Sequence, residues 1–259
     1  MPDTDTVLKE TTQGVMTITL NRPKANAFNL EMVAQLQAAF KEAARNEQVR
    51  CVLLTGNGSN FSAGQDVKDF LQPEQVSYRQ HLLKTYNPLV IQMRRLEKPI
   101  LASIQGAAAG AALGVALACD LRIASEETRF VVGFLGIGLA PDSAVSLLLP
   151  ALIGLGRAAE FAFTNDPISA SQALSWGLVN RVVPATELKT RAMEWAIKLA
   201  QGPMHAMGFA KRDFNRAVLG NLEQVLDYEA HNQEVAGKGS EHAEGVKAFL
   251  EKRQAIYAK

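Results

Sequence analysis

Val49-Arg50-Cys51-Val52-Leu53-Leu54-Thr55-Gly56-Asn57-Gly58-Ser59-Asn60-Phe61-Ser62-Ala63-Gly64-Gln65-Asp66 is the stretch that decides the fold class of this 259-residue chain. The apolar run from Val49 to Thr55 predicts a strand buried on both faces, and it stops at the turn-prone Gly56-Asn57-Gly58. The small-residue turn that follows, Asn60 to Asp66, lies just beyond the strand's C-terminal end. That is where α/β sheets place ligands, and where peptide N–H groups turned outward can meet an oxygen. The plainer reading is a tight turn with Asp66 capping the next helix.

Working outward, Val15 to Leu20 (VMTITL) reads as a second strand that stops at Asn21-Arg22-Pro23. Between the two strands, Met32, Val33, Leu36, Ala39, Phe40 and Ala43 recur at three and four, predicting an amphipathic helix from Leu30 to Arg45 capped by Asn29. Residues 75–96 read as helical, and Pro99 opens another apolar strand that closes at Gly106. Two short strands, LRIAS at 121–125 and RFVV at 129–132, flank Glu126-Glu127. Helical patterns resume at Ser143 to Leu152, Gly156 to Phe163 and Ser169 to Trp176. Strands alternating with helices imply parallel βαβ units and an α/β core. Beyond Val183-Pro184 the chain reads almost entirely as helices, broken at Gly202-Pro203 and at Gly237 to Ser240. Residues 1–200 are accordingly expected as the core and 201–259 as a helical appendage.

Composition narrows the function classes. Lys and Arg number 27 against 26 Asp and Glu, a net charge of +1, so no bulk electrostatic attraction to nucleic acid or anionic membrane is expected. No segment approaches the ~20 uninterrupted apolar residues of a membrane span, and the opening MPDTDTVLKE lacks a signal core. Cys51 and Cys119 sit in apolar surroundings, as reduced, buried thiols of a cytoplasmic protein would. His81, His205, His231 and His242 are scattered, with no HExxH or CxxC spacing, so no metal site is expected. GxxxxGK[ST], GxSxG and a strand-borne GxGxxG are all missing, which argues against phosphate-loop, serine-hydrolase and dinucleotide chemistry.

Two further segments stand out. Gly106 to Gly114 (GAAAGAALG) opens a helix on very small residues, letting a backbone approach something closely beside unsatisfied first-turn N–H groups. Tight helix packing would explain the same residues. Gly138 to Ser143 (GLAPDS) places the lone carboxylate Asp142 between apolar stretches. Asp142 has N-cap spacing for the next helix, while burial there would raise its pKa and make it a usable base.

Together with LNRP at 20–23, LLTGNGSNFSAGQD at 53–66, KPILASIQGAAAGA at 98–111, ACDLRIAS at 118–125 and EGVKAFLEKR at 244–253, these segments resemble the crotonase, or enoyl-CoA hydratase/isomerase, superfamily along nearly the whole chain. The resemblance implies an α/β spiral of ββα turns with a C-terminal helical region that assembles homotrimers or hexamers. It implies an acyl-CoA thioester substrate whose carbonyl lies between the N–H groups of Gln65 and Ala111, with CoA part of the substrate and no separate cofactor. Where hydratases of this family carry two water-handling glutamates, this chain carries Gly114 and Phe134, and the retained acid is Asp142. That pattern is similar to the ring-epoxide isomerases of phenylacetate breakdown, which also shift 3-enoyl-CoA double bonds. A double-bond shift needs one base that takes a proton and returns it elsewhere.

Aromatic acyl-CoA dehalogenases of the family share the aspartate and the glycine, but their histidine and tryptophan correspond to Asn87 and Phe134 here. The resemblance is also compatible with an atypical hydratase or a non-catalytic CoA-binding protein. It further implies that CoA is met by Lys24 and Ala25 of a loop one residue shorter than usual, by the Ala63 carbonyl, and by Asp66, Val67 and Lys68. Phe249 and Lys252 of a neighbouring subunit would cover the adenine. Phe134, Leu135, Gly114 and Asn87 would form the acyl pocket facing Asp142.

Overall fold

The computed structural model describes residues 5–70 and 77–258. Among them the strands are β1 (Val7–Thr12), β2 (Val15–Leu20), β3 (Cys51–Gly56), β4 (Ile100–Ile104), β5 (Ala107–Ala109), β6 (Leu121–Ser125), β7 (Arg129–Val131), β8 (Ile168–Ser169) and β9 (Arg181–Val183). The core helices are α1 (Leu30–Arg45), α2 (Tyr78–Lys84), α3 (Tyr86–Arg95), α4 (Ala111–Ala118), α5 (Val145–Ile153), α6 (Leu155–Thr164), α7 (Ala170–Trp176) and α8 (Leu188–Ala200). Three more follow: α9 (Met204–Val218), α10 (Leu222–Gly237) and α11 (Ser240–Leu250). No helix is long and apolar enough to cross a membrane among the described residues.

Strands β1-β2-β3-β4-β6-β9 form a six-stranded sheet in that order, antiparallel only at the β1–β2 hairpin. A second sheet has the order β5-β7-β8. The two sheets are successive walls of one spiral. After β4 the chain adds β5 to the second wall, and after β6 it adds β7 beside β5. Earlier turns contribute single bridges to that wall, Phe28 to Gln65 and Ser62 to Ala108. Each turn therefore delivers the loop beyond a long strand to one side of the molecule, where the site lies.

The central strands of the long sheet are buried on both faces, which explains the continuous apolar reading of β3. Cys51 and Leu53 join Val15, Leu101 and Ile123 against Leu188, Ala192, Ala196 and Ala200 of α8. Val52 and Leu54, one residue out of phase, point into the main core with Ile18, Leu36, Phe40 and Leu113. Helix α1 begins as expected, with Asn29 Oδ1 accepting the Met32 N–H at 2.9 Å. Both cysteines are free and buried, and desolvation pushes each thiol up to about 12.

Several expectations need correction. Strand β1 has five exposed residues of six, so it offers no buried periodicity to read. The single helix expected over 75–96 is two helices broken at Thr85, and positions 75 and 76 lie outside the described residues. Pro88, in the first turn of α3, is compatible with a helix start and not with a helix running through. The run 107–118 is strand β5, a turn at Gly110 with φ 55°, and then α4. Helix α8 packs on the sheet and ends at Ala200.

Candidate functional site

Two peptide segments meet back to back at the C-terminal ends of β3 and β5. Phe28 N–H donates to Gly64 O at 2.7 Å, and Asp66 N–H donates to Phe28 O at 2.8 Å. Residues alternate along such a bridge, so the N–H of the intervening Gln65 faces away from Phe28. Its side-chain Oε1 accepts the Tyr86 hydroxyl at 2.5 Å. Gly64 has φ +86°, and a Cβ there would lie 2.5 Å from Ala109 O and 3.5 Å from Ala111 N. Only glycine allows this approach. Ala111 is the first residue of α4, its N–H outside the helical ladder, and Gly110 rather than Ala111 takes the positive φ.

Asp142 lines the same cavity and is 7% exposed. It does not cap α5 with its side chain. The N-cap residue is Ala144, in the left-handed region like Ser143 before it, and Glu229 of α10 takes the capping role. Glu229 accepts the N–H groups of Ala144 at 2.8 Å and Ser146 at 3.0 Å, together with the Ser146 hydroxyl. Asp142 Oδ1 instead accepts Ser143 Oγ–H at 2.6 Å, and Oδ2 accepts Gln233 Nε2–H at 2.6 Å. Burial raises the Asp142 carboxyl to about 6, with these two bonds pulling the other way. Burial also raises Glu229, to about 7, opposed by the Ser146 hydroxyl and reinforced by the charge of Asp142.

The cavity encloses about 510 Å³ and is lined by Ala63, Gln65, Asp66, Val67, Lys68, Ala111, Phe134, Asp142 and Phe249 among the residues expected. That size suits a small-molecule site. Phe249, expected to act on a neighbouring subunit, lines the cavity of its own chain. Lys252 is exposed and lies outside the lining, as do Lys24 and Ala25, both at positive φ. Leu135 is also outside, and Ile137 and Leu139 supply that apolar wall. Asn87 is buried and donates through Nδ2 to Leu226 O at 3.1 Å, so it braces α10 rather than forming the acyl pocket. Gly114 lies behind the site. A Cβ there would meet Ser143 Cβ at 2.6 Å and Ser143 O at 2.8 Å, so its missing side chain lets the Asp142-Ser143 turn close onto α4.

Asp66 is not available as a base. Burial opposes its ionised form, but Arg22 at 2.9 Å and the Lys68 N–H outweigh this and hold the carboxyl below its ordinary value. Desolvation pushes His81 down to about 4, leaving it neutral at physiological pH.

The residues that sequence reasoning missed come from the C-terminal helices. Gln233 and Glu229 sit one turn apart on α10, and His242 of α11 closes the outer wall. His242 Nδ1–H donates to Ile137 O at 2.7 Å, leaving Nε2 to accept the Tyr78 hydroxyl at 2.6 Å. The signal was present but faint. Leu226, Glu229, Ala230, Gln233 and Gly237 form a buried helical stripe with two polar members.

Residues 10–259 match the family model described as enoyl-CoA hydratase/isomerase. The chain is 39% identical over 251 residues to a 1,2-epoxyphenylacetyl-CoA isomerase of Escherichia coli (strain K12), covering 95% of this chain and 96% of that one. It is 34% identical over 248 residues to 4-chlorobenzoyl coenzyme A dehalogenase-2 of an Arthrobacter species, covering 94% and 90%. Its fold superposes with a TM-score of 0.89 on the crystal structure of an enoyl-CoA hydratase from Mycobacterium avium subsp. paratuberculosis K-10, at 32% identity over 98% and 99% of the two chains. With the spiral core, the paired backbone segments and the cavity all present, this chain belongs to the enoyl-CoA hydratase/isomerase family, with the crotonase fold.

Proposed function

We propose that the chain is an acyl-CoA isomerase in which Asp142 shuttles one proton across a thioester enolate. The substrate is a ring 1,2-epoxyphenylacetyl-CoA, a 3-enoyl-CoA, or both. The thioester oxygen lies between the N–H groups of Gln65 and Ala111. Asp142 takes a proton from carbon, the C–H electron pair delocalises onto that oxygen, and the proton returns to another carbon. Two backbone donors aimed at the developing oxyanion supply the largest electrostatic contribution, since losing one such donor in other enzymes costs about 3 kcal/mol.

The observation that carries this reading is that, among the described residues, Asp142 is the cavity carboxylate not tied to a cation, while Asp66 pairs with Arg22 and Glu229 is occupied by the start of α5. Addition of water calls for a second group to hold and split it, and position 114 has no space for one. Hydrolytic dehalogenation calls for a base at position 87, where the Asn87 amide faces Leu226 O. Phe134, Ile137 and Leu139 suit an aromatic or unsaturated acyl group. Exposed Phe209, Phe214 and Val218 on α9 support self-association through the C-terminal region.

The test is isomerisation of a 3-enoyl-CoA, and of the ring epoxide, by wild type and Asp142→Ala. A loss of at least ~10³-fold is expected. Activity within about threefold of wild type would sink the proposal, and appreciable hydration of a 2-enoyl-CoA by the wild type would favour a hydratase instead.

A further inference from the structure

A base that borrows a proton and returns it must be stable both ionised and protonated. Each oxygen of Asp142 is held by a group able to serve both states. Ser143 donates to Oδ1, and a hydroxyl becomes an acceptor by rotating. Gln233 donates Nε2–H to Oδ2 at 2.6 Å and is 1% exposed. Its other polar atom, Oε1, is buried with no hydrogen-bond partner among the described residues. A buried carbonyl oxygen without a partner is uncommon and calls for an explanation. No cation bonds to Asp142 among the described residues, and a fixed lysine or arginine would have held it permanently ionised.

We propose that Gln233 is a positioning residue for the proton shuttle, holding the Asp142 carboxylate through Nε2–H and, after its amide turns over, accepting the carboxyl proton through Oε1. When the substrate C–H breaks and the proton comes to rest on Oδ2 of Asp142, the Nε2–H that faced that oxygen becomes the wrong partner. Turning the amide by about 180° about its last torsion, the motion that makes the two ends of a carboxamide interchangeable in a hydrogen-bond network, restores the match. The reverse turn accompanies return of the proton to carbon. Because Oε1 has no donor of its own, the turn breaks no other hydrogen bond to that oxygen.

The backbone is arranged to keep Gln233 in place. On the inner side of α10, Glu229 holds the Ala144–Ser146 turn. On the outer side, Glu234 accepts Ser77 Oγ–H and Arg79 N–H, and Asp227 pairs with Arg79. Among the described residues, the titratable groups around Asp142 are Glu229 on α10, Tyr78 and His81 on α2, Tyr86 on α3 and His242 on α11, with Asp66 and Lys68 also lining the cavity.

The inference rests on the isomerase reading, since without a shuttled proton Gln233 has none to accept. Gln233→Met keeps length and burial and removes both functions. The acid limb of kcat/KM is expected to move upward by at least about half a pH unit, since the carboxylate loses a donor. Turnover should fall at least tenfold, and product formed in deuterated water should carry more solvent label, because the protonated carboxyl is no longer held. Gln233→Glu, which retains a polar group of the same length, should move the limb further, since a second carboxyl opposes ionisation of the first. It carries the test if the methionine variant does not fold. An arm that needs no substrate follows the carboxyl titration by infrared difference spectra, assigned with Asp142→Asn. An unmoved titration and unchanged label, with only KM or melting temperature altered, would overturn the role of Gln233. If wild type isomerises nothing, or Asp142→Ala matches it, the isomerase reading falls and takes the shuttle role of Gln233 with it, whereas an unmoved carboxyl titration in an active enzyme overturns the role of Gln233 alone.

Discussion

Replacing Gly114 by alanine tests whether the position of Asp142 is set by backbone packing behind it. The added Cβ would sit 2.6 Å from Ser143 Cβ, 2.8 Å from Ser143 O and 3.2 Å from Val145 Cγ2. Carbon contacts settle at about 3.5–4.0 Å, so the Ser143 turn must retreat by about 1 Å. Ser143 is itself fully buried and left-handed, at φ 57°, and its neighbour Ala144 is tied to Glu229, so the retreat is not free. Overpacking of this kind costs about 1–3 kcal/mol, which lowers the melting temperature of a chain this size by roughly 2–10 °C. The kinetic effect is separate. A displacement of about 1 Å at a catalytic group costs on the order of 10²-fold, or ~2.7 kcal/mol of barrier. The assay pairs thermal melting with kcat and KM for a 3-enoyl-CoA. The fall is expected in kcat, with KM changed by less than about threefold, because Gly114 does not line the cavity. If position 114 were an open wall of the pocket, alanine would enter empty space. Unchanged melting together with unchanged kcat would refute the packing argument.

Three other expectations follow from the same geometry. Gly64→Ala puts a Cβ 2.5 Å from Ala109 O at φ +86°, so the two backbone donors separate and kcat/KM should fall by at least ~10²-fold; wild-type kinetics would show that the segments do not need this approach. Asp142 must be ionised to act, and its carboxyl lies near 6, so kcat/KM should fall about tenfold per pH unit below that value. A pantetheine thioester avoids titration of the CoA phosphate near the same pH, and a rate independent of pH down to about 5 would count against Asp142 as the base. Glu229 is raised from 4.5 to about 7, so its protonated form is the one the fold favours. Its contribution to stability is fully present below pH 4.5 and is lost as pH rises through about 7, by on the order of 3 kcal/mol. Urea unfolding of wild type should therefore weaken over that window relative to Glu229→Gln, and parallel pH profiles of the two proteins would contradict it.

Local elements were readable where one short segment carries its own pattern. The spacing of Met32, Val33, Leu36, Ala39, Phe40 and Ala43 is enough for α1, and the unbroken apolar run of β3 reflects burial on both faces. Strand β1 escaped because an edge strand with one buried side chain shows no alternation. The alanine-rich run at 107–109 has helix propensity, yet its pairing with Arg129 to Val131 makes it a strand. In the site, SAGQD and GLAPDS were legible because small residues and a lone acid between apolar stretches are unusual locally.

The sequence by itself determined the α/β alternation, the family resemblance, the two peptide segments now found side by side and Asp142 near them. Tertiary structure decided which groups control that acid. Gln233 is 91 residues from Asp142 in the chain, and Glu229 is 83 to 85 residues from the backbone groups it caps. No local pattern encodes contacts of that range, because each depends on how a later helix folds back over the spiral. The same folding back made Asp142 a buried, doubly held carboxyl and not the helix cap its spacing also allowed, placed Phe249 at the cavity of its own chain, and withdrew Asn87 and Gly114 from the pocket wall.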